Sequence, residues 1–423
     1  MSLSPSSSSV GAAAASAVPR SRRSMALLVL VLGMLTATGP LATDLYLPAL
    51  PAIAEDLGSS QARIQLTLTA IMLGMALGQL VIGPMSDAWG RRVPLLVGTA
   101  LFTVASFLCV LVPSAGAFVA LRFVQGMAGA AGTVISRAVV RDLFEGDDAA
   151  RFFSRLMLVM GLAPLLGPVL GGQLLLLGPW RLLFAALGLV SLASLVVVFF
   201  WLPESLPREQ RGPVNPAGLV ATVGRLVRDV RFAGPTLVLG LSFGCMFTYI
   251  SAFSFVSQNE FGASAQQFSM VFAVTTVGIM AGNQVNGFLI GRVETVRRLG
   301  AGLAGMVAAV LTLGVLALAG VGGPGALVAV AAVFFVMMFS VGFVFPNATS
   351  LAISSQPASV AGTASALMGS LQFALGGGLA SLAGMTASGE ASLASMAVVM
   401  VATGGVAAAV FVVVARRSVR PAV

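Results

Sequence analysis

Residues 83–92 read Gly83-Pro84-Met85-Ser86-Asp87-Ala88-Trp89-Gly90-Arg91-Arg92, and they sit between two long apolar runs, 61–86 and 93–112. Each run meets the ~20-residue length that a helix needs to cross a lipid bilayer. A tight turn between two such helices wants glycine, which tolerates unusual backbone angles and close approach. Paired arginines hold the turn on one side of a membrane, because short arginine-bearing loops resist translocation. Asp87 falls where a helix end meets this basic turn. It can accept hydrogen bonds from an arginine or from the N-terminal amides of a neighbouring helix.

The same ruler applied outward from this hairpin yields twelve spans. They run 25–50, 61–86, 93–112, 116–141, 150–177 and 180–203, then 233–256, 264–291, 297–321, 324–350, 360–386 and 390–415. Segment 204–232 differs, carrying Glu204, Arg208, Glu209, Arg211, Arg225, Arg228, Asp229 and Arg231 together with Pro207, Pro213 and Pro216. It reads as a cytoplasmic linker between an N-terminal six-helix bundle, 25–203, and a C-terminal one, 233–415. The Ser/Ala-rich stretch 1–24 reads as a disordered cytoplasmic tail, and 416–423 as a second tail. The run from Met25 to Pro51 exceeds the ~7–15 apolar residues of a signal peptide, so it is expected to stay as the first helix.

Composition agrees with lipid as the solvent. The 423 residues are 58% hydrophobic and 9% charged, against about 25% charged in soluble domains. The net charge of +9 raises the question of nucleic acid. However, all 23 basic residues are arginines, and with the N-terminus inside all but Arg63, Arg122 and Arg181 fall on cytoplasmic segments. That is the pattern of charges fixing orientation, with both termini cytoplasmic, and no nucleic-acid partner is expected. There is no histidine, which removes histidine triads and the commonest zinc and iron ligand sets. Cys109 and Cys245 lie inside apolar runs and read as packing residues. Without lysine no phosphate-binding Gly-Lys loop can exist. No enzyme activity, metal or cofactor is expected.

A weaker copy of the opening motif lies between the eighth and ninth spans, where Gly287-Phe-Leu-Ile-Gly291-Arg292 precedes Arg297 and Arg298. Residues 83–92 resemble the signature loop of the major facilitator superfamily, and paired six-helix halves with a repeated loop are that superfamily's architecture. The resemblance makes Gly83, Asp87, Gly90, Arg91 and Arg92 the gating loop. Further motifs extend it. The fourth span holds Arg122-Phe-Val-Gln125-Gly126, and a charge inside a span is costly and a functional candidate by default. In the family this arginine takes part in proton transfer. The fifth span holds Gly161, Pro164, Gly167, Pro168, Gly171 and Gly172, an order that resembles the antiporter motif of exporters. Thr43-Asp44-Leu45-Tyr46-Leu47-Pro48-Ala49-Leu50-Pro51 resembles the first helix of the bicyclomycin/chloramphenicol-resistance (Bcr/CflA) group. Tyr249–Val256 and Gly282-Asn283-Gln284-Val-Asn286 support the same group, although Ser254 stands where its members usually have proline.

The expected fold is thus an all-α membrane protein, twelve transmembrane helices in two six-helix bundles. The function the resemblance implies is proton-coupled efflux of small amphiphilic or lipophilic compounds across the bacterial inner membrane. A narrow exporter of one metabolite or amino acid with the same fold is the alternative. The partners are protons, small-molecule drugs or metabolites and membrane lipid, with no obligatory protein partner evident. Polar residues inside spans face water-filled cavities, so Tyr46, Gln125, Tyr249, Asn283, Gln284 and Gln372 are expected to line a central cavity. Asp44, counted from Pro51, lies roughly 10 Å deep, and Arg122 lies roughly 9 Å below Gly116. The two are expected to couple protons as a pair. Gly278 and Gly282 have the small-xxx-small spacing for close packing and are expected to meet Gly171 and its neighbours.

Overall fold

The computed structural model describes residues 22–144, 152, 162–212, 216–357, 360–384 and 390–418. Twelve helices carry the fold. In chain order they are α1 (Arg22–Asp44), α2 (Gln61–Trp89), α3 (Arg92–Val110), α4 (Ala115–Leu143), α5 (Leu162–Leu174), α6 (Arg181–Trp201), α7 (Val230–Asn259), α8 (Ala265–Phe288), α9 (Thr295–Leu318), α10 (Leu327–Ser354), α11 (Ala361–Leu382) and α12 (Leu393–Ser418). Among the described residues eleven are long and apolar enough to cross a membrane, and α5 is a shorter apolar helix. The linker contributes one further helix, Pro216–Arg228.

Local chemistry sets the helix ends. Ser60 and Ser114 accept the N–H groups of Arg63 and Ala117, opening α2 and α4, and Ser264 with Gln267 forms a capping box on α8. Each device satisfies an orphan amide of the first turn. Gly90, at φ 91°, ends α2 in a backbone region that favours glycine.

The first span corrects the expected boundary. It is broken: α1 stops at Asp44, a 3-10 turn covers Leu47–Ala49, and a short helix runs Leu50–Asp56. Pro48 explains the break, because its ring lacks an N–H and would clash with the carbonyl of residue 44 in a continuous helix. The span as a whole covers Leu30–Asp56. Asp44 therefore lies near its middle, deeper than the count from Pro51 gave.

The two sets of six helices repeat one packing scheme. α4 packs on α1, α2 and α3, and α6 on α1 and α3; likewise α10 packs on α7, α8 and α9, and α12 on α7 and α9. The register is equally matched. Gly74 and Gly78 of α2 press on Phe123 and Met127 of α4, while Gly278 and Gly282 of α8 press on Phe335 and Phe339 of α10. Residue n of α2 thus corresponds to n + 204 in α8, and residue n of α4 to n + 212 in α10. Tyr46 Oη shares a hydrogen bond with Thr67 of α2 at 2.9 Å, and Tyr249 Oη one with Thr275 of α8 at 2.8 Å. These are the chain's 2 tyrosines; Thr275 lies one turn beyond the n + 204 counterpart of Thr67, so the two bonds are equivalent to within a helical turn.

The halves meet along α2 and α11, and α5 meets α8 through Ser269 Oγ, which donates to the Pro168 carbonyl at 2.8 Å. Other bonds between halves are Ser254 Oγ to Leu47 O at 2.5 Å, Gln258 Nε2 to Pro48 O at 3.1 Å, Gln266 Nε2 to Gly172 O at 3.2 Å and Thr69 Oγ1 to Gly377 O at 2.8 Å. Among the described residues, the cross-half bond nearest the arginine-rich end joins Ser370 Oγ to Ala76 O at 2.9 Å. Ala76 precedes the Trp89 end of α2 by about 20 Å. Among the described residues the hydrogen bonds between the halves thus lie on the side away from the arginines and end at Ala76.

Candidate functional site

The break in α1 creates the first site. A helix leaves its last-turn carbonyls without N–H partners, and its C-terminus carries partial negative charge. Leu45 N still donates to Leu41 O at 3.0 Å. The Ala42 carbonyl instead receives Arg122 Nη2 from α4 at 2.5 Å. Arg122 Nη1 donates to Gln125 Oε1, and Gln125 Nε2 passes the chain on to Ser106 Oγ at 2.7 Å. The guanidinium carbon lies 4.4 Å from the Tyr46 ring centroid and 5.5 Å from that of Phe184. Arg122 is 0% exposed. Helix-end dipole, amide and aromatic faces together hold a charge inside the bundle.

Asp44 closes α1 and is 6% exposed. It forms no ion pair with Arg122, so the expected carboxylate–guanidinium pair is replaced by the contacts above. The reason is reach: the freed Ala42 carbonyl and Gln125 occupy both terminal nitrogens of the guanidinium. Asp44 instead packs against α5, where a Cβ on Gly167 would come within 2.9 Å of the Asp44 Cβ. One turn on, a Cβ on Gly171 would collide with the Leu45 carbonyl oxygen. The glycines of α5 therefore seat on the break in α1. Gly172 alone of the set faces α8, against Ser269. Gly278 and Gly282, expected to meet α5, pack on α10 instead. Gly161 lies outside the described residues.

The second site is the loop that opened the sequence reading. Arg91 Nε donates to Asp142 Oδ2 at 2.9 Å, and its Nη1 donates to Asp87 Oδ1 at 2.5 Å and Ser86 Oγ at 2.9 Å. Glu204, just past α6, accepts the Arg91 amide at 2.7 Å and the Leu206 amide at 3.0 Å, and pairs with Arg211 at 3.4 Å. Burial pulls the Arg91 guanidinium down, but Asp142 and Asp87 outweigh it and hold the group above its ordinary value. A Cβ at Gly90 would strike the Glu204 carboxylate. Asp87 is 65% exposed on its side chain and bonds Arg91 within its own turn, an arginine being one of the two donors expected. Arg92 Nη2 ties α3 to α6 through the Phe199 carbonyl at 2.7 Å. Gly83 is half-buried beside Val134 of α4.

Residues 32–381 match the Major Facilitator Superfamily. The chain belongs to this superfamily. It is 37% identical over 386 residues to the uncharacterized MFS-type transporter YdgK of Bacillus subtilis, covering 91% of this chain and 94% of that one. It is 33% identical over 369 residues to a bicyclomycin resistance protein homolog of Haemophilus influenzae, covering 85% and 89%. The fold matches a bacterial homolog of the human lysosomal transporter Spinster, solved inward-facing and unoccupied, with TM-score 0.72, 15% identity, and 95% and 100% coverage. Within the superfamily the chain is placed in the drug–proton antiporter group of the bicyclomycin and chloramphenicol resistance proteins.

The expected cavity residues divide. Asn283 and Gln284 of this transporter are exposed and Gln372 is half-buried. Tyr46 and Gln125 are buried as supports of Arg122 and line no open space in this state. Tyr249 is 0% exposed, its ring 4.2 Å from Phe334 and 5.4 Å from Phe253. These three are packing residues here because each polar group is satisfied by another side chain of its own bundle. Two clusters were missed. Asp142 and Glu204 anchor the signature loop, and only their closeness to span ends hinted at it. In the second half, Arg298 Nη1 donates to Asn286 Oδ1 at 3.0 Å and Asn347 Nδ2 donates to the same oxygen at 2.7 Å, all three residues buried. Asn286 stood in a quoted motif, and its three-residue offset from Asn283 was the available signal.

Proposed function

We propose that this transporter exports small amphiphilic or lipophilic compounds, with multidrug range, in exchange for protons. It works by alternating access in the bacterial inner membrane with both termini cytoplasmic. The arginine-rich end is then the cytoplasmic one, and the described state opens inward.

One observation carries the coupling. Among the described residues Asp44 is the only carboxylate away from the ends of the spans. It sits at the break of α1, with the glycine face of α5 on one side and the Arg122–Ala42 contact two residues back. An ionised carboxylate there meets the negative end of the α1 dipole without a paired arginine. A proton removes that conflict; in the exchange cycle Asp44 takes its proton from outside in the outward-facing state, carries it inward, and releases it to the cytoplasm when substrate binds. Proton and conformation are thereby linked through one carboxylate. The relative named for bicyclomycin resistance supports drugs as cargo.

The test is Asp44→Asn in everted vesicles. It keeps size and hydrogen bonding but cannot titrate, so ΔpH-driven export should fall at least 100-fold while the purified protein still binds substrate. Undiminished ΔpH-driven export would remove Asp44 from the mechanism.

A further inference from the structure

Charged side chains of the described spans cluster at helix ends, with three exceptions: Asp44, Arg122 and Arg137. All three belong to the first half. The internal repeat assigns each a counterpart in the second half, and each counterpart is neutral: Phe247, Phe334 and Thr349. The correspondence holds in space at Arg122. Its guanidinium lies over Tyr46 at 4.4 Å, and the Phe334 ring lies over Tyr249 at 4.2 Å. Among the described residues the charge inside the spans therefore comes from the first half alone. The sum is +1 with Asp44 ionised and +2 with Asp44 protonated, and in neither state is it negative.

Arg137 is placed to express that charge. On α4, Gly132 packs on Leu35 of α1, and Ala130 meets Gly78 and Val134 meets Gly83 of α2. By helical rotation Arg137 lies on the arc between these contacts, away from Ala128 and Ala131, which face Gly98 of α3. Beyond that arc lies the second half, because α1 is bonded to α7 and α2 to α11. Arg137 is exposed, and among the described residues it has no ion pair or hydrogen bond. It stands about 9 Å from the Leu143 end of α4, at the mouth of the inward-opening space.

We infer that Arg137 is a specificity-determining residue that makes the transporter favour neutral and anionic amphiphiles over permanent cations. The inference rests on the exporter reading and names the substrate class it serves. At a separation of about 10 Å and an effective dielectric constant of about 20, one unit charge changes the affinity of a charged ligand by about tenfold.

Three ligands sharing one fluorophore test it: dansyl amide (neutral), dansyl glycine (anion) and dansyl choline (permanent cation), titrated onto purified full-length protein. The wild type should bind dansyl glycine at least tenfold tighter than dansyl choline. Because the two charged ligands differ by two unit charges, Arg137→Gln should shrink that ratio about 100-fold and Arg137→Glu about 10,000-fold, with dansyl amide binding unchanged as the control for folding. Should Arg137→Glu lose dansyl amide binding through misfolding, Arg137→Gln decides. A ratio unmoved by these substitutions, or a wild type with no preference against dansyl choline, overturns the inference. The readout is binding, so it separates from the exporter reading. Loss of charge preference with drug export intact sinks the inference alone, and charge preference without export sinks the exporter reading alone.

Discussion

Removing the aromatic ring beneath Arg122 should weaken the first half by an amount the geometry sets. Tyr46 makes three separable contributions. Its hydroxyl shares a 2.9 Å hydrogen bond with Thr67, worth about 1 kcal/mol net. Its ring lies 4.4 Å from the Arg122 guanidinium, and a desolvated cation–π contact contributes about 2 kcal/mol. Its edges meet Phe184 at 5.6 Å and Phe118 at 6.2 Å, adding about 1 kcal/mol per pair. Tyr46→Phe should cost about 1 kcal/mol, since only the hydroxyl is lost. Tyr46→Leu should cost about 5 kcal/mol, the sum of these contributions. The cation–π share is isolated by combining Tyr46→Leu with Arg122→Met in a double-mutant cycle, read by reversible unfolding in mixed detergent micelles. Contacting residues show non-additive effects, and a coupling energy of about 1–2 kcal/mol is expected. Tyr249 supplies the internal control, because its nearest ring neighbour is the tilted Phe334 rather than a cation. Additivity of the Tyr46 and Arg122 substitutions within about 0.5 kcal/mol would refute the assignment of Tyr46 as a support of the buried charge.

Three further outcomes are expected. Gly171→Leu drives a side chain into the Leu45 carbonyl, and overpacking of this kind costs about 1–3 kcal/mol; export should stop while the protein still inserts, and normal export rates would show that α5 leaves this contact at no cost. Glu204→Ala strips the acceptor from the Arg91 and Leu206 amides and should lower stability by about 2 kcal/mol, measured by thermal unfolding in detergent, with no loss pointing to water as an equal partner. Asp87→Asn breaks a solvated i,i+4 pair and should leave stability within about 0.5 kcal/mol, yet we expect transport to fall at least tenfold because Asp87 is free to hold the closed inward gate; full transport activity would reduce it to a solubilising residue.

Span existence was legible because lipid imposes a simple ruler: backbone groups must be satisfied within each helix, so apolar length alone marks a crossing. What the ruler could not register was interruption. Pro48 lies in an apolar run and leaves hydropathy intact while it splits the first span at Asp44. That split alone explains why Arg122 was found and its partner was not. A charge inside a span announces itself from composition, but the acceptor it reaches is a backbone carbonyl, and carbonyls have no letter in a sequence. The same holds for Asp142 and Glu204. Both read as solvated residues at span ends, and both became anchors because the turn at Gly90 brings the Arg91 amide to Glu204 and the Arg91 guanidinium to Asp142. Residues whose partners are other side chains on a repeated motif, such as Arg91, were easier to place.

The repeat also limits what a symmetric fold requires of its sequence. Glycines at 74, 78, 278 and 282 keep the α2–α4 and α8–α10 contacts in equivalent register, because backbone approach tolerates nothing larger. Charge carries no such requirement. At the position where α4 holds Arg122, α10 holds Phe334, and both cover a tyrosine. The loop between α2 and α3 closes on carboxylates, while in the second half Arg298 donates to Asn286, whose oxygen also accepts from Asn347. Packing is thus duplicated and chemistry is not. On the proposed exchange mechanism the halves rock about a common centre, and a single carboxylate inside the described spans gives that rocking one protonation event to answer to. A second Asp44-like carboxylate in α7 would bring a second buried charge with its own desolvation cost and no arginine at the Phe334 position to receive it.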